Sequence, residues 1–236
     1  MKQLCDLLFE LSSEERMSII QNLCQQNIRL SHLAQKLDMT VTETSRQLQR
    51  LSDAELISRN SEGLYNTTSF GELLLSLIPS IHFVSKNRAF FLSHDVSNIP
   101  IPFVNRFGEL VSSSFEVDAV KVIARVTNIL NEADEFIWSH SYHILPSHIP
   151  ILEKKVGEGV EFKGIYLKDF ETSSQIASNI RSVEKIELRI LVTEKEAMTG
   201  FLSSSGQPDY SAFFSFDPMF INWCKELFQY YWGKTR

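Results

Sequence analysis

A chain of 236 residues is long for one compact domain and short for three, so two units are expected. Apolar content of 43% beside 22% charged residues is that of a globular protein, and a formal net charge of −6 excludes a broad basic surface for nucleic acid. No run of about 20 apolar residues occurs, which excludes a membrane-spanning helix.

The segment Gln3 to Leu11 reads as a short apolar helix. Its acidic residues argue against a signal peptide. Ser12 with Glu15 has the spacing of a capping box for a helix over 13–26, with Met17, Ile20, Leu23 and Cys24 inward. Leu30 to Leu37 is predicted as a third helix, turned at Asp38-Met39. Thr40 with Glu43 caps a fourth helix starting near Val41. Val41, Ser45, Leu48 and Leu51 are expected on its buried face. Thr42, Glu43, Arg46, Gln47, Gln49 and Arg50 are expected outward. Two short strands around Asn60-Ser61-Glu62-Gly63 follow as a hairpin. Helix, turn, helix and hairpin in that order are a winged helix-turn-helix, whose second helix suits the major groove of DNA.

That reading makes Arg46, Gln47 and Arg50 the candidates for base edges, since an arginine fork matches guanine and a glutamine matches adenine. Thr42, Thr44 and Ser45 are candidates for phosphates at the helix start, and Arg59 and Asn60 on the wing for the adjacent backbone or minor groove. From Arg29 to Asn60 five Lys/Arg stand against four Asp/Glu, so binding would depend on a few placed cations and on two copies of the domain. A solvated polar helix face is the competing interpretation. The turn at Asp38 also lacks the glycine often found there.

Ser69 with Glu72 is read as a further cap, for a helix over 70–78 that Pro79 should kink or interrupt. Helical spacing resumes over 81–92, and the helices from Phe70 to Leu92 are the expected seam of a homodimer. The two prolines between Asp95 and Pro102 mark the expected boundary, giving domains 1–95 and 96–236. Beyond it the chain predicts a short helix at 103–110 and an amphipathic helix at 117–132. Strand 135–140, helix 147–157, strand 159–167, helix 169–180 and strand 184–192 follow. Strands at 197–202 and 210–216 precede a last helix, 219–232, launched by Asp217-Pro218. The alternation predicts an α/β domain with a largely parallel sheet behind an α+β winged domain.

The winged segment resembles ArsR/MarR-like prokaryotic regulators at Thr44-Ser45-Arg46-Gln47-Leu48 and at Asp53-Ala54-Glu55-Leu56-Ile57. The C-terminal stretch Phe213 to Trp232 and the strands 135–140 and 160–167 resemble archaeal regulators with a methanogen output domain. That family is similar to sugar-sensing archaeal regulators with a phospholipase-D-like effector domain. The resemblance implies transcriptional control in a methanogenic archaeon with a small-molecule effector. It also raises phosphodiester hydrolysis, which in those hydrolases uses a His-x-Lys-x4-Asp signature. No histidine here is followed two residues later by lysine, so no enzyme activity and no cofactor are expected. A hydrolase, or a protein-interaction module with an appended winged domain, is the alternative. His140, His143 and His148 follow a strand, where open α/β sheets place ligands, and three imidazoles could hold zinc. Partly buried loop histidines are the preferred interpretation, with no metal. Trp138, His140, Tyr142, His143 and Tyr166 are the expected pocket. Cys5, Cys24 and Cys224 match no zinc spacing and are read as buried reduced thiols, in keeping with a cytoplasmic protein.

Overall fold

The computed structural model describes residues 1–168, 174–205 and 209–235. The chain divides into two compact units, Met1–Ile78 and Pro79–Arg236. The division lies upstream of the proline-rich 95–102 segment. The reason is aromatic: Phe83, Phe90 and Ile99 are buried in the second unit's core, with Phe91 packed against it.

The first unit holds α1 (Lys2–Leu11), α2 (Glu14–Gln25), β1 (Ile28–Arg29), α3 (Leu30–Lys36), α4 (Val41–Asp53), β2 (Ile57–Arg59) and β3 (Leu64–Thr67). Ser13, rather than Ser12, caps α2: its hydroxyl accepts from Arg16 N–H and donates to Glu15. The buried stripe of α2 is Arg16, Ile19, Ile20 and Leu23, one step round from the predicted face. These residues meet Leu33, Leu48, Leu51, Leu56 and Ile57 in one small core. Antiparallel β2–β3, with β1 added to β3, makes the wing. Asp38 takes φ +51 at the helix-turn-helix corner, so an aspartate fills the left-handed position where glycine is usual.

Next comes α5 (Ser69–Lys86), which runs unbroken through Pro79. Thr68, not Ser69, caps it, accepting from Gly71 N–H at 3.0 Å. The second unit continues with α6 (Arg88–Phe91), β4 (His94–Asp95), α7 (Ile101–Val104), a 3-10 turn (Phe107–Leu110), β5 (Ser114–Glu116) and α8 (Ala119–Glu132). After these come β6 (Phe136–His140), a 3-10 turn (Pro146–His148), α9 (Ile149–Gly157), β7 (Glu161–Leu167), α10 (Ser174–Ala177) and β8 (Ile180–Val183). The rest is β9 (Leu188–Val192), β10 (Ala197–Ser203), β11 (Ala212–Ser215) and α11 (Pro218–Lys234). The helix expected over 169–180 lies partly outside the described residues, and its end is strand β8.

The eight strands form one sheet in the order β5-β11-β10-β9-β6-β7-β8, with β4 on β10. It is mixed, which corrects the expectation of a largely parallel sheet. Only β6–β7 and β7–β8 are parallel, and they alone are joined through helices. By contrast, β9 turns straight into β10 at Thr193–Glu196, closed by Thr193 N–H to Glu196 O at 3.1 Å, and pairs with it antiparallel. A turn of that length cannot make a parallel crossover.

The pleat sorts side chains between two cores. Trp138, Ile165, Ile190 and Phe213 point toward α11, where Trp223, Leu227 and Phe228 receive them. Their neighbours Ile137, Tyr166, Leu191 and Phe214 point the other way, toward Val122, Ile129 and Leu130 of α8 and Leu152 of α9. On α8, Val122, Ile129 and Leu130 carry the contact and Val120 is exposed. No helix among the described residues is long and apolar enough to cross a membrane.

Candidate nucleic-acid interface and a cavity in the second unit

Helix α4 starts where Thr40 accepts from Glu43 N–H at 3.1 Å. Its buried residues are Thr44, Gln47, Leu48 and Leu51. This set keeps Leu48 and Leu51 but turns the helix by roughly 55° from the predicted face. Val41 and Ser45, expected inside, are exposed. Thr44 and Gln47, expected outside, are buried. The Thr44 hydroxyl donates to Thr40 O at 2.9 Å. Gln47 Nε2 donates to Glu43 at 2.6 Å, and its Oε1 accepts from Arg16 at 3.2 Å. Both belong to the interior of the unit, which corrects their assignment to the outward face.

Arg50 is also held inside the chain. Its Nε and Nη2 make a bidentate pair with Glu10 of α1 at 3.0 and 2.8 Å, and it lies over the Phe9 ring at 5.2 Å. The hydrogen bond from Arg50 is the largest of the effects that hold the Glu10 carboxyl below its ordinary range. Arg46 is different. Its side chain is 68% exposed and, among the described residues, its one ion pair is with Glu43 at 2.8 Å, one turn earlier. Thr42, Ser45 and Arg46 therefore form the outward face, with Gln49 beside them. On the wing, Asn60 Oδ1 accepts from Glu62 N–H and Leu64 N–H at 3.0 and 2.9 Å, and Gly63 supplies the positive φ of the turn at +80. Arg59 is exposed and stacks over Tyr65 at 5.5 Å.

The second unit contains a cavity of about 90 Å³ between α8 and the sheet. Tyr142, His143 and Tyr166 of the predicted pocket line it, joined by His148. Trp138 and His140 do not. Both sit on the opposite pleat of β6, where Trp138 stacks on Phe228 at 5.4 Å and His140 on Tyr231 at 4.9 Å. His140 Nδ1 bonds Leu188 O at 2.8 Å, and burial pushes its pKa down to about 4. His148 Nε2 instead meets Thr127 Oγ1 at 3.0 Å. The three histidines are not brought together, and no metal-ligating cluster exists among the described residues. Burial raises the Tyr166 phenol well above its usual range, against a hydrogen bond with Ser139.

Sequence reasoning missed Arg189. It lies on the cavity wall at 6% exposure. Its signal is a lone arginine inside the apolar run Leu188-Arg-Ile-Leu-Val192. Cys224 is buried as expected, but Cys5 and Cys24 are exposed.

The first unit is thus a winged helix-turn-helix, and the second a mixed sheet between helical layers. Residues 120–234 match the family described as methanogenesis regulatory protein FilR1, middle domain. The matched stretch lies within the second unit. No curated protein sequence matches the chain. Among solved structures, TrmBL2, an archaeal chromatin protein, is 13% identical with a TM-score of 0.44, over 95% of this chain and 94% of its own. The homodimeric winged helix-turn-helix domain of Mb0332 from Mycobacterium bovis is 22% identical with a TM-score of 0.33, over 36% of this chain and 81% of its own. Nuc from Salmonella typhimurium, a phospholipase D family member, is 15% identical with a TM-score of 0.40, over 53% of this chain and 97% of its own.

Proposed function

We propose that this chain is a DNA-binding transcriptional regulator that acts as a homodimer and responds to a small molecule held in the second unit. The observation that carries the reading is the outward face of α4. Thr42, Ser45 and Arg46 are free of the core there, on a helix followed directly by a wing bearing Arg59 and Asn60. Arg46 is the base-reading candidate, because breaking its exposed contact with Glu43 costs little. Thr42 lies in the first helical turn, where free N–H groups favour phosphate, and Ser45 follows it one turn on along the same face. Arg50 braces α4 against α1 rather than reading bases. The family match of residues 120–234 to a regulatory protein supports the regulator class.

Dimerisation is supported by α5. Phe70, Leu73, Leu77, Ile81 and Val84 are exposed and recur at intervals of three and four along its length. That spacing is the seam of a paired helix. Sedimentation of the chain at twice 27.1 kDa is expected. A monomer with α5 intact speaks against the seam.

The deciding experiment is selection of bound genomic fragments by the purified chain, followed by affinity measurements across a salt series. Preferred fragments should contain two half-sites about one helical turn apart, with affinity falling as salt rises. Affinity for no fragment, or affinity indifferent to salt, removes the DNA reading.

A further inference from the structure

Arg189 stands in the middle of β9, a strand buried on both faces. Its cross-strand partner on β10 is Gly200. A Cβ at Gly200 would lie 2.6 Å from Arg189 Nη2 and 2.9 Å from Ser211 O. The missing side chain is what makes room for the guanidinium. Within that room Nη2 donates to Ser211 O at 2.7 Å, its one hydrogen bond among the described residues. The Tyr210 ring lies 5.7 Å from the guanidinium carbon. Asp209, on the same wall, is engaged elsewhere: it accepts from Ser211 N–H at 2.6 Å and meets His94 Nε2 at 2.6 Å. A guanidinium is a fork of N–H donors that stays charged. Among the described residues only Ser211 Oγ is a sealed-off side-chain atom without a partner, so the rest of the Arg189 fork opens on the cavity, where a ligand can complete it.

The cavity sets the size and polarity of that something. At about 90 Å³ it is smaller than a cavity of about 150 Å³ that admits benzene, so it takes a ligand of a few heavy atoms. Val122, Ile123, Val126 and Leu130 of α8 face Ile137 and Leu191 of the sheet, an apolar part of a wall that also carries Ser139, Tyr142, His143 and His148. Arg189 is a cation on this wall and Asp209 offsets part of its charge, which disfavours a dianion.

We propose that this cavity binds a short-chain monocarboxylate, with its two oxygens on the Arg189 fork and its alkyl chain against α8. The inference rests on the cavity being the effector site and names the chemistry of its occupant.

The test is calorimetric titration of the full chain with acetate, propionate and butyrate, with propionamide and inorganic phosphate as counter-probes. The best carboxylate should bind saturably and at least about tenfold more tightly than either counter-probe, the size of one charge-assisted hydrogen bond. Arg189→Met should lose about tenfold or more, and Arg189→Lys, which keeps the charge without the fork, should lie between. Should Arg189→Met fail to fold, the comparison of propionate with propionamide on the parent chain decides. Equal binding of propionamide overturns the carboxylate assignment and leaves a ligand cavity. Tighter binding of phosphate, or binding of none of the probes, also overturns it. Affinity for the selected DNA, measured on the same preparation, separates this failure from failure of the regulator reading.

Discussion

Arg16 in the first unit and Arg189 in the second are equally hidden, each at 6% exposure, yet they are treated in opposite ways. Arg16 Nε donates to Glu10 O at 2.5 Å, Nη2 to Phe9 O at 2.8 Å and Nη1 to Gln47 at 3.2 Å, and it pairs with the Glu10 carboxylate at 3.4 Å. It ties α1, α2 and α4 together. Arg189 has one carbonyl and an adjoining cavity. A buried cation with a partner on each of its three nitrogens is an architectural part, whereas one left open beside a space is placed for a partner that arrives later. Burial alone does not separate the two, but the hydrogen bonds do.

The comparison can be broken most sharply at Arg16. Arg16→Met is expected to destabilise the first unit by about 3 kcal/mol, because Gln47 and two backbone carbonyls lose their donor in the interior. Urea unfolding followed by circular dichroism measures it, and a loss below about 1 kcal/mol would mean the contacts are dispensable.

His140 supplies an intermediate case, a buried group kept neutral instead of paired. The unfolded chain protonates it near its ordinary pKa of 6.5, and the folded chain only near 4. Between those values the unfolded state binds the extra proton, so stability falls as pH drops through this window. The contribution is about 2 kcal/mol between roughly pH 7.5 and pH 5. In His140→Gln this part of the acid sensitivity should vanish. An unchanged pH profile in parallel urea melts would show that the imidazole is hydrated in the fold.

The contrast between free and committed arginines also applies on α4. Arg46→Ala should weaken DNA binding by about 1–2 kcal/mol and relax base preference at its contact. Arg50→Ala should act chiefly on the α1–α4 contact, with smaller change in sequence preference. Fluorescence anisotropy on matched and mismatched sites reads both, and the reverse ranking refutes the helix orientation. The smallest effect is expected at Arg189. Without ligand, Arg189→Met should change stability by less than about 1 kcal/mol, since removing an unanswered buried charge offsets its lost packing. A large loss in thermal melts would make Arg189 a second Arg16.

Much of the first unit was legible because its signals are local. Thr40 caps α4 at the expected residue, and Asn60 with Gly63 makes the wing turn. The rotation of α4 was not legible. Val41 is apolar and Gln47 polar, so composition assigned each to the wrong side. The reason lies elsewhere in the chain: Arg16 sits on the apolar spacing of α2 with Ile19, Ile20 and Leu23, and it needs an acceptor that Gln47 supplies.

In the second unit most helices and strands were readable from their periods, though β4, β5 and β8 were not; the Asp217 cap on α11 was readable too, where the carboxylate accepts from Met219 N–H at 2.8 Å. The direction of the strands was not, because it depends on which connections cross the sheet and which turn back. The pocket failed for a related reason. Trp138 and His140 directly flank Ser139, which lines the cavity, and a strand sends alternate residues to opposite faces.

The order of elements and their caps came from the sequence, since a turn, a cap or an amphipathic stripe is decided by residues a few positions apart. The tertiary structure alone decided which buried charges are satisfied. A guanidinium's partners come from distant strands and helices: Arg189 depends on Gly200 for space and Ser211 for its acceptor, and that accounting exists only once the chain has folded.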